Sequence, residues 1–314
     1  MNNNSFISII VVTRHREKIL WETISKALEA ISGRLAEIIV VNDGDEVLDI
    51  PGKFTDKILY YNNPGYGVSI ARNFGVSKAT GDILFFVDDD MWINSEAIDW
   101  INEFVIAEQL CNAVYILNWE YPHQLKNKMN KTKVGRYIRD SNYTSLWGRL
   151  HMKTRQPSCG IYPYSSVGSG SLVISKEVFN RIGRYTEELT FQGEDEDISL
   201  RLRENHVPIY VVFDVTLHHN HIDRLEVKNF LRRSYDGFGS EFIAIRKGLK
   251  LRVADRSYHG FSRLVFEFCR KTEQAWIFFL HMLPNISFVR PFSNRLLGAL
   301  GGLQRYKQWK NNFG

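Results

Sequence analysis

Five apolar residues followed without a break by three aspartates, Ile83-Leu84-Phe85-Phe86-Val87-Asp88-Asp89-Asp90, leave few choices for what this chain can become. A continuous apolar run of this length, with a Thr80-Gly81-Asp82 turn in front of it, reads as a strand buried on both faces. Such strands sit inside open α/β sheets, whose ligands collect at the carboxyl ends of the strands. Three adjacent carboxylates at that end raise one another's cost of ionisation, and a divalent cation removes the cost. On an extended backbone Asp88 and Asp90 would point one way and Asp89 the other, so one site could use the first and third together. An Asp-x-Asp pair suits Mg²⁺ or Mn²⁺, leaving positions for water and a diphosphate. A solvated acidic turn without a ligand is the alternative.

The preceding segments repeat the pattern of apolar run and polar end. Phe6 to Val12 is β-branched and leads into Thr13-Arg14-His15-Arg16, after which Trp21, Ile24, Leu28 and Ile31 recur at helical spacing. Glu37 to Val41 ends in Asn42-Asp43-Gly44-Asp45, and Ile58 to Tyr61 ends at Asn62-Asn63-Pro64-Gly65. Strands alternating with helices predict a Rossmann-like α/β fold, a mainly parallel sheet with right-handed crossovers and helices on both faces. Thr13, Asp43 and Asp88 each stand just past a strand and would line one crevice, although turn chemistry accounts for Asp43 equally well.

Further on, a helix is expected over 95–110 and a strand over 113–117. The stretch 118–163 loses periodicity, is rich in Lys, Arg, Tyr and Trp, and is long enough to cover a site or recognise a substrate. Gly168-Ser169-Gly170-Ser171 introduces a short strand, and Gly193-Glu194-Asp195-Glu196-Asp197 opens a helix. The helix dipole explains part of that acidic start, best for Glu196 and for Asp197, which lies four residues before Arg201. Val207 to Phe213 is the last clear strand; His218, His219 and His221 follow it, and one of them is a candidate metal ligand.

The 314 residues suffice for one large α/β domain with an appendage. Cys111, Cys159 and Cys269 are too scattered for a metal knuckle or redox pair, which points to a reducing compartment. The first apolar run has no basic residue before it, so a strand rather than an export signal is expected. Residues 226–314 hold 16 Lys and Arg against 6 Asp and Glu, a basic extension whose partner should be anionic. Its apolar run Ala275 to Leu283 is too short to span a bilayer. Together with Trp276, Phe278, Phe279 and the run from Leu296 to Leu300, it fits an interfacial helix pair on an anionic membrane surface. It fits a helical cap or dimer contact equally well.

Two other classes lose ground. Gly65-Tyr66-Gly67 imitates a dinucleotide fingerprint, but Ile70 stands where the third glycine belongs and the motif follows the third strand. The basic residues of the extension are dispersed and match no nucleic-acid module, so nucleic acid is not an expected partner.

Five elements in order, Val12-Thr13-Arg14, Val41-Asn42-Asp43-Gly44, Ala71-Arg72-Asn73-Phe74-Gly75, Gly81-Asp82 through Asp88-Asp89-Asp90, and Gly193 to Asp197 through Arg201-Leu202, together resemble the family-2 glycosyltransferases of the GT-A fold. The resemblance spans about residues 6–225, dividing a catalytic domain, 1–225, from the extension, 226–314. It implies that Thr13 and Asp43 line a nucleotide-base pocket, Arg72 approaches the nucleotide or its phosphates, and Asp88 lies near the ribose. By the same resemblance Asp90 binds Mn²⁺ or Mg²⁺, His218 is a further ligand with His219 in reserve, and Asp195 is the base, with Glu194 as its rival. The usual Tyr-Asn after the first Thr is replaced by Arg14-His15, and Asp43 is not followed by the common Gly-Ser; both departures bear on base preference.

The implied activity is inverting transfer of a sugar from a nucleoside-diphosphate sugar, a UDP-sugar in the first instance, to a saccharide or lipid-linked acceptor. Cell-surface polysaccharide or glycoconjugate synthesis is the expected setting, in the cytoplasm or peripherally on the cytoplasmic face of a membrane. A non-catalytic nucleotide-sugar or carbohydrate-binding protein on the same fold is the alternative.

Overall fold

A computed structural model describes residues 6–150, 156–246 and 258–313. It divides into two compact units, residues 1–122 with 145–220, and residues 123–144 with 221–314.

The first unit is built on a nine-stranded sheet. In chain order it contains β1 (Ile7–Thr13), α1 (Glu17–Ala30), β2 (Ala36–Asn42), β3 (Leu59–Asn62), α2 (Val68–Lys78), β4 (Ile83–Asp88), β5 (Met91–Trp92) and α3 (Ser95–Trp100). The chain continues through π-helical turns, Ile101–Ala107, to β6 (Val114–Glu120). The second unit takes α4 (His123–Met129) and α5 (Lys133–Asp140). The first resumes with α6 (Leu146–Arg149), β7 (Ile161–Tyr164), β8 (Ser171–Ser175), α7 (Lys176–Arg181), α8 (Glu194–Glu204) and β9 (Ile209–His219).

The order across the sheet is β3-β2-β1-β4-β8-β6-β9-β5, with β7 also on β9. β1 to β4 are parallel. β8 runs against β4 and β6, and β6 is parallel to β9. Six strands therefore share one direction, and β5, β7 and β8 oppose it. This is the mainly parallel sheet of an α/β fold expected of the sequence, with three strands opposed. Residues Ile83 to Val87 of β4 are all buried, each apolar side chain contributing roughly 1.5–3 kcal/mol by leaving water. That burial fixes the register which delivers Asp88 to the strand end.

Three local expectations change. The helix expected over 95–110 is α-helical only to Trp100. The stretch 118–163 is not one loop: it contains the end of β6, three short helices and β7, while 151–155 lie outside the described residues. The strand expected to stop at Phe213 runs on to His219, since β6 resumes pairing at Asn118 with Thr216 after a register shift.

The second unit is helical. Besides α4 and α5 it contains a 3-10 turn, Ile222–Leu225, α9 (Val227–Arg246), α10 (Gly260–Lys271), α11 (Glu273–Met282) and α12 (Arg290–Phe313). Part of the helical expectation after Glu226, residues 247–257, lies outside the described residues. Leu231, Leu280, Leu297, Leu300, Tyr306 and Trp309 are core members. Among the described residues no helix is long and apolar enough to cross a membrane.

Candidate active site

Two groups of polar side chains gather around the end of β4. The first forms because the strand stops at Asp88 and residues 89 and 90 turn, so the strict alternation expected of the three aspartates ends there. Asp89 accepts from Thr13 Oγ1 at 2.7 Å, and Thr23 Oγ1 holds its carbonyl at 2.7 Å. Arg16 donates to Asp89 and, through Nη2, to Asp90 Oδ2 at 2.6 Å. Burial pushes Asp89 up to about 7, against the pull of Arg16. Asp89 and Asp90 thus share a cation that the sequence reading missed. Arg16 lies more than 70 positions from both, a separation no local pattern reveals.

Asp90 is fully buried. Its carbonyl accepts from Asn220 N at 2.6 Å, and the next residue, Met91, pairs with His219 across the β5–β9 ladder. This pairing carries His219 to the carboxylate, with Nε2 2.8 Å from Asp90 Oδ1. The ring stands edge-on to Trp119 at 4.8 Å, which fixes its orientation. Strand alternation sends the neighbouring His218 to the opposite, exposed face. The structure therefore brings His219, and not His218, to Asp90. His221 follows two residues on, and one ligand atom from each of Asp90, His219 and His221 lies within 4.8 Å of the others. A carboxylate with two imidazoles, all three buried, is a donor set suited to a first-row divalent ion. Two nitrogens make it a poorer match for Mg²⁺, which prefers oxygen.

The second group ties β4 to the start of α8. Arg72, on α2 and 7% exposed, reaches Asp88 Oδ1 at 3.3 Å and Glu194 Oε1 at 2.9 Å. Its guanidinium lies 5.3 Å from the centre of the Tyr185 ring. Burial alone would lower the Arg72 pKa, but Tyr185 and the carboxylates Glu194, Asp88 and Asp195 raise it and keep the cation. Asp195, one residue along, takes bonds from Ser169 N at 3.0 Å and from the Ser169 hydroxyl, whose oxygen is 2.6 Å from Tyr185 Oη. Gly170 leaves room for the Asp88 carboxylate, because a Cβ there would meet Asp88 Oδ2 at 2.7 Å. Burial pushes Glu194 up to about 7, with Asp195 adding to the shift and Arg72 opposing it. Asp195 is raised too, by burial first, against Arg72 and the Ser169 hydroxyl.

Asp197, at the same helix start, is tied to its neighbours. Asp197 accepts from Arg201 Nη2 at 2.6 Å and from Thr186 Oγ1 at 2.7 Å.

Thr13 and Asp43 also lie together, Asp43 N donating to the Thr13 carbonyl at 2.8 Å. The Asp43 carboxylate accepts from Asn63 Nδ2 at 2.6 Å and Gly67 N at 2.8 Å. Burial raises its pKa against these donors and Arg14. Arg14 in turn lies 4.4 Å from the centre of the half-exposed Tyr66 ring, close enough to Asp43 to feel its charge. Ser169, Tyr185 and Tyr66 were not among the residues foreseen for the site. The Gly168-to-Ser171 cluster before a strand was the one available sign.

Comparison with known proteins gives these residues a family context. The model of "Glycosyl transferase family 2" matches residues 8–166, half of the chain. Over 230 residues the chain is 26% identical to chondroitin synthase of Pasteurella multocida (strain Pm70), covering 64% of this chain and 23% of that protein. Over 107 residues it is 30% identical to the glucosyl-dolichyl phosphate glucuronosyltransferase of Haloferax volcanii, covering 32% of this chain and 33% of that protein. The matches thus span a quarter to a third of these relatives' lengths. Among solved structures, GalNAc-T7 with UDP, GalNAc and Mn²⁺ superposes with a TM-score of 0.49 at 16% identity, over 87% of this chain and 55% of that one.

Proposed function

The chain belongs to glycosyl transferase family 2, and from that premise we propose that it moves a sugar from a nucleoside-diphosphate sugar, preferentially a UDP-sugar, to a hydroxyl of a saccharide or lipid-linked acceptor, with inversion at the anomeric carbon. The observation that carries this reading is the Asp88–Arg72–Glu194 bridge. Through it the end of β4 meets the helix start bearing Asp195, which lies outside the family-matched segment.

The residues divide the work. Thr13 and Asp43 line the crevice for the base, beside the Arg14–Tyr66 pair. Asp88 takes the ribose, and Arg72, held cationic, faces the negative charge of the nucleotide. Asp90, with His219 and His221, would hold a divalent cation. Such an ion acts as a Lewis acid for a departing diphosphate. His218, exposed on the opposite face of β9, is not part of this assignment.

Asp195 is the base. A carboxylate whose partners are a hydroxyl and an amide can exchange one for an acceptor O–H and take its proton, and a raised pKa strengthens it for that task. The acceptor oxygen then bonds to the anomeric carbon as the bond to the diphosphate oxygen breaks. The proton stays on Asp195, and the diphosphate leaves with the electron pair. One base and one in-line displacement give inversion.

A thermal-shift panel of nucleoside diphosphates and nucleotide sugars, with and without Mn²⁺, tests the donor assignment. A UDP compound should raise the melting temperature most, and only with metal. No shift from any compound in Mn²⁺ would remove the catalytic reading. Synthesis of cell-surface polysaccharide or glycoconjugate is the setting of this proposal; the relatives named above, a chondroitin synthase and a glucosyl-dolichyl phosphate glucuronosyltransferase, support the reaction class.

A further inference from the structure

Two successive helices of the second unit are apolar on both sides. On α11, Leu280 is buried in the unit's core, while Phe278 and Met282 are 68% and 66% exposed and Phe279 is exposed beside them. On α10, Phe261, Leu264, Val265 and Phe268 stand at i, i+3, i+4 and i+7 on the outer face, and all are exposed. The surface continues past α11, where Phe288 is 91% exposed and the Phe292 ring lies 6.2 Å from Phe279. Among the described residues, eleven of the seventeen exposed large apolar side chains fall between 261 and 292, a concentration far from the single scattered residues of an ordinary surface.

The exposed charges at the two ends of this face are basic. From Gln274 to Val289 there is no Asp, Glu, Lys or Arg. The acids before it are turned inward: Glu267 binds Arg270, Lys310 and Tyr306, and Glu273 binds Lys307 and Gln304. Lys271 and Arg295 are exposed at its two ends. On α11, Gln274, Ile277 and His281 border a groove of about 700 Å³, one helical position round from Phe278 and Met282. Of the cations lining that groove, Arg270 and Lys310 are paired with Glu267 and Lys307 with Glu273, while Lys228 and Arg232 stand exposed.

We propose that α10, α11 and residues 286–292 form a docking surface for an anionic lipid bilayer: the apolar stripes enter the interfacial zone, and the groove with Lys228 and Arg232 receives the phosphate headgroups. The helices lie in the plane of the interface, since none can cross it. A second copy of the chain is the poorer occupant, because two such faces would bring together like charges, 16 Lys and Arg against 6 Asp and Glu in each extension.

Co-sedimentation of the full chain with vesicles tests this without any sugar donor. The protein should pellet with mixed phosphatidylglycerol and phosphatidylcholine vesicles and lose most of that binding on phosphatidylcholine alone or in high salt. Phe268→Ser combined with Phe278→Ser should weaken binding by roughly tenfold or more. Lys228→Gln with Arg232→Gln should weaken it by about fivefold per charge. All four side chains are exposed, so the melting temperature should not move. Absence of binding to anionic vesicles, equal binding to neutral ones, or indifference to the phenylalanine pair would each overturn the proposal. A dimer in solution that the phenylalanine pair dissociates, without vesicle binding, would assign the face to a second copy instead.

Discussion

The acids at the end of β4 and the acids at the start of α8 look alike in sequence, three and four carboxylates in a row, yet the fold gives them different partners. At β4, Asp88, Asp89 and Asp90 go to Arg72, Thr13 with Arg16, and Arg16 with His219. At α8, Glu194 and Asp197 are paired with arginines, while Asp195 is held by a serine hydroxyl and a backbone amide. A carboxylate locked to a guanidinium has an oxygen committed to a charged donor, although at Glu194 burial outweighs Arg72 and the pKa still rises. One bonded to a hydroxyl already has the geometry of a base facing an alcohol. Partner type, more than position in the run, separates the charged scaffold from the reactive group.

The sharpest way to break this comparison is to alter one carboxylate in each cluster. Asp195→Asn should reduce transfer by about 10²- to 10⁴-fold and leave UDP binding by calorimetry unchanged. Loss of donor binding, or retention of transfer, would return Asp195 to the scaffold. At the β4 side, His219→Ala should weaken Mn²⁺ binding by at least about tenfold, whereas His218→Ala, on the exposed face, should leave it unchanged. Direct Mn²⁺ titration followed by paramagnetic resonance reads both variants without turnover.

The pH dependence sharpens the α8 side. The base works unprotonated, and both adjacent carboxyls titrate above the usual carboxylate range, Glu194 at about 7. Transfer should therefore fall toward acid, with its midpoint above that of an ordinary aspartate, and be flat at higher pH. Repulsion between neighbouring carboxylates is mutual, so Glu194→Gln should move the midpoint of kcat/KM toward acid, with about a tenfold gain at the acid end for a shift of one unit. An unmoved profile would mean that the two groups do not share their titration.

How far the sequence reveals this arrangement depends on the range of the forces involved. The buried strand before Asp88, the polar ends of β1 and β2 and the acidic start of α8 are legible, because burial and the helix dipole act within a few residues. Arg16 is not, since its partners lie on another strand end. The histidines were legible in part. Asp214, Val215, Thr216, Leu217, His218 and His219 alternate polar and apolar as a half-buried strand does, and reading that alternation past Phe213 would have turned His219 inward and His218 outward. The grouping of residues 123–144 with the carboxyl-terminal helices rests on packing between segments distant in sequence, which periodicity within 118–163 does not show.

The smallest expected effect tests the scaffold half of the comparison. Asp197 is 6% exposed and bridges Arg201 to Thr186, and Arg201 also donates to the Ile182 carbonyl at 2.7 Å. Asp197→Asn keeps the shape and one acceptor oxygen but removes the charge that the guanidinium opposes. A hydrogen bond to a charged group contributes about 1.5–3 kcal/mol, so the variant should lose about that much stability in urea unfolding. Because Asp197 has its own arginine and does not share Arg72, kcat at a temperature where the variant is folded should stay within about twofold of the parent. A stable variant with strongly reduced kcat would show that the reactive region of α8 extends to its fourth carboxylate, and that partner type does not divide the cluster.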